Sequence, residues 1–171
     1  LSPVDAGLLV LAVFAGNLAM KPFTTAIMQR YGFRRVLLVN GVIGVVSIMA
    51  CALFTAQTPF SLIAAVLFVG GLSRSMQFTC YNSIGFADVP KARMSEASAL
   101  FSLSFQLAMG MGVTVAALLL RASMTVQGHE VQAQPGHFRV AFIGVALLGM
   151  WALVDVYRLP KGAGESVLNR G

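Results

Sequence analysis

Between Arg35 and Arg74 the chain reads VLLVNGVIGVVSIMACALFTAQTPFSLIAAVLFVGGLS, residues 36–73, without one charged side chain. A membrane-spanning helix needs about 20 predominantly apolar residues. The stretch therefore holds most of two spans, and residues 55–59 (Thr-Ala-Gln-Thr-Pro) supply the turn between them. Barrel strands are excluded, because they alternate in polarity over about 10 residues and these runs do not.

The rest of the chain agrees. Of its 171 residues 57% are hydrophobic and 11% charged, and the mean hydropathy is +0.81. Soluble domains carry about 25% charged residues, and a soluble fold of this size needs a polar exterior that this composition cannot supply. Disorder is excluded by the same numbers. The expected fold is an all-α membrane protein with five spanning helices, at about 5–28, 36–54, 60–86, 95–120 and 138–157, and a polar tail over 158–171. Ser2-Pro3 opens the first helix, and Lys21-Pro22 interrupts it late.

The net charge is +6, from 12 basic and 6 acidic residues. A nucleic-acid partner is not expected, since the basic residues sit in small groups at span ends instead of on one face. Arg30, Arg34 and Arg35 fall in the first connection, Lys91 and Arg93 in the third, and Arg158, Lys161 and Arg170 in the tail. The positive-inside rule puts these in the cytoplasm and the 122–137 loop outside. Trp151 and Tyr157 sit where an interfacial aromatic belt would place them. Cys51 and Cys80 both lie in apolar segments and read as small hydrophobes, with neither a disulfide nor a metal site implied. The chain starts at Leu1, shows no signal peptide and has an odd number of spans, so it reads as the downstream piece of a longer protein.

Arg74 is the most informative residue. It lies midway along the third span, where a cation costs at least about 2.5–3.5 kcal/mol. At about 100° per residue, Gly70, Arg74, Gln77, Tyr81, Gly85 and Asp88 share one face, with Phe78 beside them. Such a stripe lines a water-filled path or packs on a polar partner. Arg74 and Asp88 are about 21 Å apart along the axis and do not pair, so the partner of Arg74 comes from another helix. Two readings stand: a fixed tie between helices, and a place on a substrate pathway.

On the fourth span Ser98, Ser102, Gln106, Gly110 and Thr114 recur every four residues, a helix-packing row in which Gln106 is the best candidate to touch a substrate. Gly41 and Gly44, and Gly16 with Ala19, are further packing signals. Lys21 either snorkels to the headgroups or faces a cavity. Asp155 and Arg158 read as a local surface pair, and Asp88, Lys91, Arg93 and Glu96 as a solvated connection. His129 and His137 fall in the outer loop with no cluster of ligands around them, so no metal is expected. A serine nucleophile at Ser73 or Ser75 would lack a histidine at its depth. No phosphate-binding glycine loop ends in Lys-Ser or Lys-Thr. An enzyme is not expected, and neither is a cofactor.

Gln29-Arg30-Tyr31-Gly32-Phe33-Arg34-Arg35 resembles the cytoplasmic loop signature of the major facilitator superfamily, Gly-x-x-x-Asp-Arg-x-Gly-x-Arg-Arg. Arg30, Gly32, Arg34 and Arg35 match, while Thr25 and Gln29 stand where the pattern has glycine and aspartate. That leaves the loop an electrostatic role, setting orientation and contacting neighbouring helix ends. Gly70-Gly71-Leu72-Ser73-Arg74-Ser75-Met76-Gln77-Phe78-Thr79, Asn82, Ala87-Asp88-Val89-Pro90, Met94-Ser95-Glu96-Ala97-Ser98, Gln106-Leu107 and Gly112-Val113 resemble the C-terminal part of the fourteen-helix drug:proton antiporters of that superfamily. The opening Leu1-Ser2-Pro3-Val4-Asp5-Ala6-Gly7-Leu8 is similar too.

The resemblance implies the last five helices, forming most of the C-terminal bundle of a major facilitator fold. It implies alternating access and export of amphiphilic drugs in exchange for protons across a bacterial inner membrane, with the C-terminus cytoplasmic. Arg74, Gln77, Tyr81 and Gln106 would line the pathway. The partners would be the lipid bilayer, the N-terminal helices of the same protein, the small-molecule substrate and protons. The proton-carrying acids would lie upstream, since Asp5, Asp88, Glu96 and Asp155 are all near span ends. The alternative is a permease of the same superfamily for a sugar or organic anion, with Arg74 gripping a substrate carboxylate. A sensor or assembly protein would need a soluble domain that the short tail does not offer.

Overall fold

Each helix starts and stops where its local chemistry dictates. The Ser2 hydroxyl accepts from the Asp5 N–H (3.1 Å) while the Asp5 carboxylate accepts from the Ser2 N–H (2.8 Å). This capping box, with Pro3 at the first helical position, opens α1 (Pro3–Met20). Pro22 has no N–H to donate, and the chain tightens into a 3-10 turn, Lys21–Phe23, before α2 (Thr24–Tyr31) resumes. There the Thr24 hydroxyl takes up the Lys21 carbonyl (2.8 Å). Gly32 turns α2 into α3 (Phe33–Ala52) in a single residue, at φ 73° and ψ 155°, a conformation essentially confined to glycine.

The computed structural model describes residues 2–126 and 135–160. Beyond α3 it contains α4 (Phe60–Phe86), a second 3-10 turn (Lys91–Arg93), α5 (Met94–Val126) and α6 (Pro135–Arg158). No strand occurs among the described residues. Among the described residues five segments are long and apolar enough to cross a membrane: Pro3–Tyr31, Phe33–Ala52, Phe60–Phe86, Lys91–Val126 and Gly136–Arg158. The fold is thus the expected all-α membrane architecture.

Around the fourth connection the helices run longer than expected. α5 runs on to Val126 and α6 begins at Pro135, so much of the expected 122–137 loop is helix. Side-chain hydroxyls support the extension. Ser123 donates to its own Leu120 carbonyl (2.8 Å) and to that of His137 (3.3 Å), and Thr125 donates to Arg121 (3.2 Å). His137 is fully buried in the α5–α6 hairpin instead of lying in a loop. His129 and residues 161–171 fall outside the described residues.

In the packed arrangement α4 lies between α1 and α3, α3 rests on α6, and α6 on α5. The tightest crossing is α1 on α4. A Cβ at Gly16 would fall onto the Phe68 carbonyl, and one at Gly71 onto the Val13 carbonyl, so the two backbones touch where each helix presents a glycine. The expected packing roles of Gly16, Gly41 and Gly44 hold. Gly41 leaves room for Leu153 of α6 and the Gln77 amide of α4, and Gly44 faces the Ser73 hydroxyl. The core (Met28, Phe33, Val36, Leu37, Met76, Cys80 and Val156) gathers at the α2–α3 turn end of the bundle.

The row on α5 behaves differently. Ser98, Ser102, Gln106, Gly110 and Thr114 are all exposed, nothing lies within 4 Å of a Cβ built on Gly110, and Thr114 bonds back to the Gly110 carbonyl (2.9 Å). No helix among the described residues packs on this row, which corrects the packing expectation for this chain by itself.

Replacing Gly71 by valine wedges a branched side chain between two touching backbones. Overpacking of this kind costs about 1–3 kcal/mol. Gly71→Val in the complete protein is expected to lower the detergent-solubilised melting temperature by several degrees, whereas Gly7→Val, which meets open space, leaves it near wild type. Equal melting temperatures for the two would refute the backbone contact.

Candidate functional site

α4 is held on two sides, and this decides which of its polar residues stay free. Towards α1 it presents Phe68, Gly71 and Leu72. Towards α3 it presents Ser73, whose hydroxyl donates to the Asn40 carbonyl (2.7 Å), and Gln77, whose Nε2 donates to the Leu37 carbonyl (3.4 Å). Between these two contact faces one strip stays open. It carries Arg74, Phe78, Tyr81 and Gly85, at i, i+4, i+7 and i+11, and all four are exposed.

Arg74 therefore stands midway along a membrane helix with its guanidinium outside the packed bundle. It makes no hydrogen bond and no ion pair with the described residues. Tyr81 is 44% and Phe78 38% exposed. Gln77, expected on the same strip, is drawn off it to α3, and its Oε1 is buried without a protein partner. The structure keeps Arg74 and Tyr81 together and separates Gln77 from them.

α5 borders the strip through aromatic rings. Phe78 meets Phe105 at 5.1 Å and Phe101 at 6.4 Å between centroids, and Phe86 meets Phe101 at 5.4 Å. Edge-on pairs of this kind add about 0.5–1.5 kcal/mol beyond burial. The Phe78–Phe105 pair brings the turn of α5 that carries Gln106 alongside the Arg74–Tyr81 stretch of α4. Gln106 itself is exposed and touches neither residue by any hydrogen bond. Nothing in the sequence pattern had singled out Phe101 and Phe105.

The signature turn supplies the second set of candidates. Arg34 Nη2 donates to the Tyr157 carbonyl at 2.7 Å, and its guanidinium lies 5.0 Å over the Tyr157 ring. It thus caps the last turn of α6, where a cation also complements the helix dipole. Arg30 stacks on the ring of Tyr31 at 5.6 Å, and Arg35 is exposed. A matching device stands at the opposite end of the same helix pair. Arg139, in the first turns of α6, donates through Nε to the Ala52 carbonyl that ends α3 (3.0 Å). Each of these antiparallel helices carries the arginine that closes the other.

The remaining charges are peripheral. Arg93 pairs with Glu96 at 3.2 Å across an exposed turn. The expected Asp155–Arg158 pair is not formed, both side chains standing in the open. Lys21 is exposed on its 3-10 turn. Among the described residues no three His, Cys, Asp or Glu side chains converge as metal ligands would.

A family model for the Major Facilitator Superfamily matches residues 1–170. The protein MdtD of Klebsiella pneumoniae subsp. pneumoniae, named for multidrug resistance, is 32% identical over 173 residues, covering 99% of this chain and 36% of that protein. MdtD of Pectobacterium carotovorum subsp. carotovorum is 32% identical over 142 residues, covering 83% of this chain and 30% of its own length. MdtD of Shigella sonnei is 33% identical over 120 residues, 70% of this chain and 25% of its own. The chain spans about a third of the length of the curated relatives it matches in full. No solved structure matches it.

A hydrogen bond from a charged donor contributes about 1.5–3 kcal/mol. Arg34→Gln is therefore expected to lower unfolding stability in detergent more than Tyr157→Ala does, because the latter keeps the backbone carbonyl and loses only the ring. Equal losses would show that stacking, and not the cap, holds the end of α6.

Proposed function

Because the chain belongs to the Major Facilitator Superfamily, we propose that it forms most of the second helical bundle of a proton-coupled exporter of amphiphilic drugs, working by alternating access in a bacterial inner membrane. The 32% identity to proteins named for multidrug resistance supports the drug substrate. The observation that carries the reading is the guanidinium of Arg74, exposed at the middle of α4 with no ionic partner among the described residues.

An arginine in that position is stable in a membrane only beside water or an anion. From residue 6 to residue 87 the chain contains no Asp or Glu. The anion then comes from the remaining helices of the complete protein, as a carboxylate that gains and loses a proton. With the carboxylate ionised, Arg74 holds it in a charge-assisted hydrogen bond. Once it is protonated the bond weakens, and the bundles are free to rock about a central site near the bilayer midplane. Phe78 and Tyr81 lie one and two turns from Arg74 on the same strip and offer aromatic faces to a cationic amphiphile. Gln77 acts from behind, tying α4 to α3, and Gln106 approaches from α5.

The basic turn at Arg30, Arg34 and Arg35 and the cations near the end of α6 favour a cytoplasmic C-terminus. The α1–α4 backbone contact and the paired caps of α3 and α6 favour movement of the bundle as one piece.

The test is dye efflux from cells expressing the complete gene, with and without a protonophore. Wild-type efflux is expected to stop when the proton gradient collapses. Arg74→Ala is expected to reduce it at least tenfold, and Gln77→Ala much less. Arg74→Ala efflux equal to wild type at matched expression would overturn the reading. Uptake of an organic anion in place of dye export would assign Arg74 to a substrate carboxylate and make the protein a permease.

A further inference from the structure

The α2–α3 turn concentrates positive charge that no acid among the described residues neutralises. Arg30, Arg34 and Arg35 lie within it, inside the stretch 6–87 that has no acidic residue. Asp155, two residues before Tyr157 on α6, pairs with none of them. Arg34 is fixed by its bond to Tyr157, yet its Nε is buried and bonded to nothing. Arg34 and Arg35, with Tyr31, Gly32 and Leu38, line a depression of about 370 Å³. The first turn of α3 adds to its polarity, for Gly32 offers no side-chain cap and no acid stands among the first residues.

From these features we infer that the depression binds the phosphate of an anionic phospholipid. Guanidinium groups match phosphate oxygens in paired, parallel hydrogen bonds, and two of them meet here on successive residues. Leu38, one turn into α3, and the exposed ring of Tyr31 flank the cations with apolar surface suited to the first carbons of the acyl chains. The turn joins two of the candidate spans, so insertion of both sets it at headgroup depth. Basic pockets between membrane helices hold anionic headgroups in this way. Only the choice of the cytoplasmic leaflet rests on the orientation proposed above. A lipid bound there sits beside Arg34, the residue that caps the end of α6.

The experiment is native mass spectrometry of the complete protein in detergent, titrated with phosphatidylglycerol, with phosphatidylcholine, or with phosphatidylglycerol in the presence of millimolar inorganic phosphate. Wild type is expected to retain phosphatidylglycerol over phosphatidylcholine, with inorganic phosphate displacing little of it. Arg35→Gln, an exposed residue outside the α6 cap, is expected to weaken retention at least fivefold. Arg93→Gln, in another basic turn, is expected to leave it unchanged. Arg34→Gln is expected to abolish retention if it folds, and Arg35→Gln keeps the test decisive if it does not. Equal retention of the two lipids, equal loss in Arg35→Gln and Arg93→Gln, or full displacement by inorganic phosphate would overturn the inference. None of these readouts depends on drug export, so failure here leaves the transport reading standing.

Discussion

The last four carbonyls of a helix have no partner within it, and where that end packs into a bundle they must be met from outside. The bundle answers this with side chains reaching across from the neighbouring helix. Arg34 at the start of α3 closes the end of α6, and Arg139 at the start of α6 closes the end of α3. The α3–α6 pair is thereby fixed at both ends, and α6 is set where Leu153 enters the gap at Gly41. Hydroxyls within the spans are treated likewise. Ser47 and Thr79 bond the carbonyls one turn back, and Ser73 bonds the carbonyl of Asn40 across the interface. With α1 and α3 both seated on α4, the hydroxyls at these contacts are used internally, while Ser75 Oγ and Gln77 Oε1 are buried without a hydrogen-bond partner.

Arg74 stands out against that economy. The same physics that makes Ser73 and Gln77 find carbonyls on α3 leaves the Arg74 guanidinium with no hydrogen bond or ion pair among the described residues. Its strip is a face of α4 that neither α1 nor α3 covers, and the rings of Phe101 and Phe105 guard only the portion from Phe78 to Phe86. An open strip bordered by aromatic side chains is what the proposed path for an amphiphile requires.

The five spans were legible because hydropathy over some 20 residues is a local sum. The glycines at 16 and 41 were legible as small residues on one side of a helix. What escaped depended on partners far along the chain. Arg139 reads as a charge flanking a loop until Ala52 is seen beside it. Gly71 could not be told from Gly70 without α1 in place. Gln77 lies about 60° around the helix from Arg74, at the edge of the stripe, and the Leu37 carbonyl decides which way it turns. The extended ends of α5 and α6 were hidden because Ser123, Thr125 and the histidine at 137 suggest a loop by composition, although their bonds run along and between helices. The small-residue row on α5 signals packing correctly in general, but no helix among the described residues packs on it.

The central claim is that the Arg74 strip opens to water at mid-membrane depth. It is tested most directly by cysteine accessibility in the complete protein after Cys51 and Cys80 are replaced. Arg74→Cys and Tyr81→Cys are expected to react with a membrane-impermeant, charged thiosulfonate, while Ser75→Cys and Met76→Cys, at buried positions on the same two turns, stay protected. Labelling of the Arg74→Cys and Tyr81→Cys positions by a lipid-soluble maleimide alone would place the strip against hydrocarbon and contradict the claim.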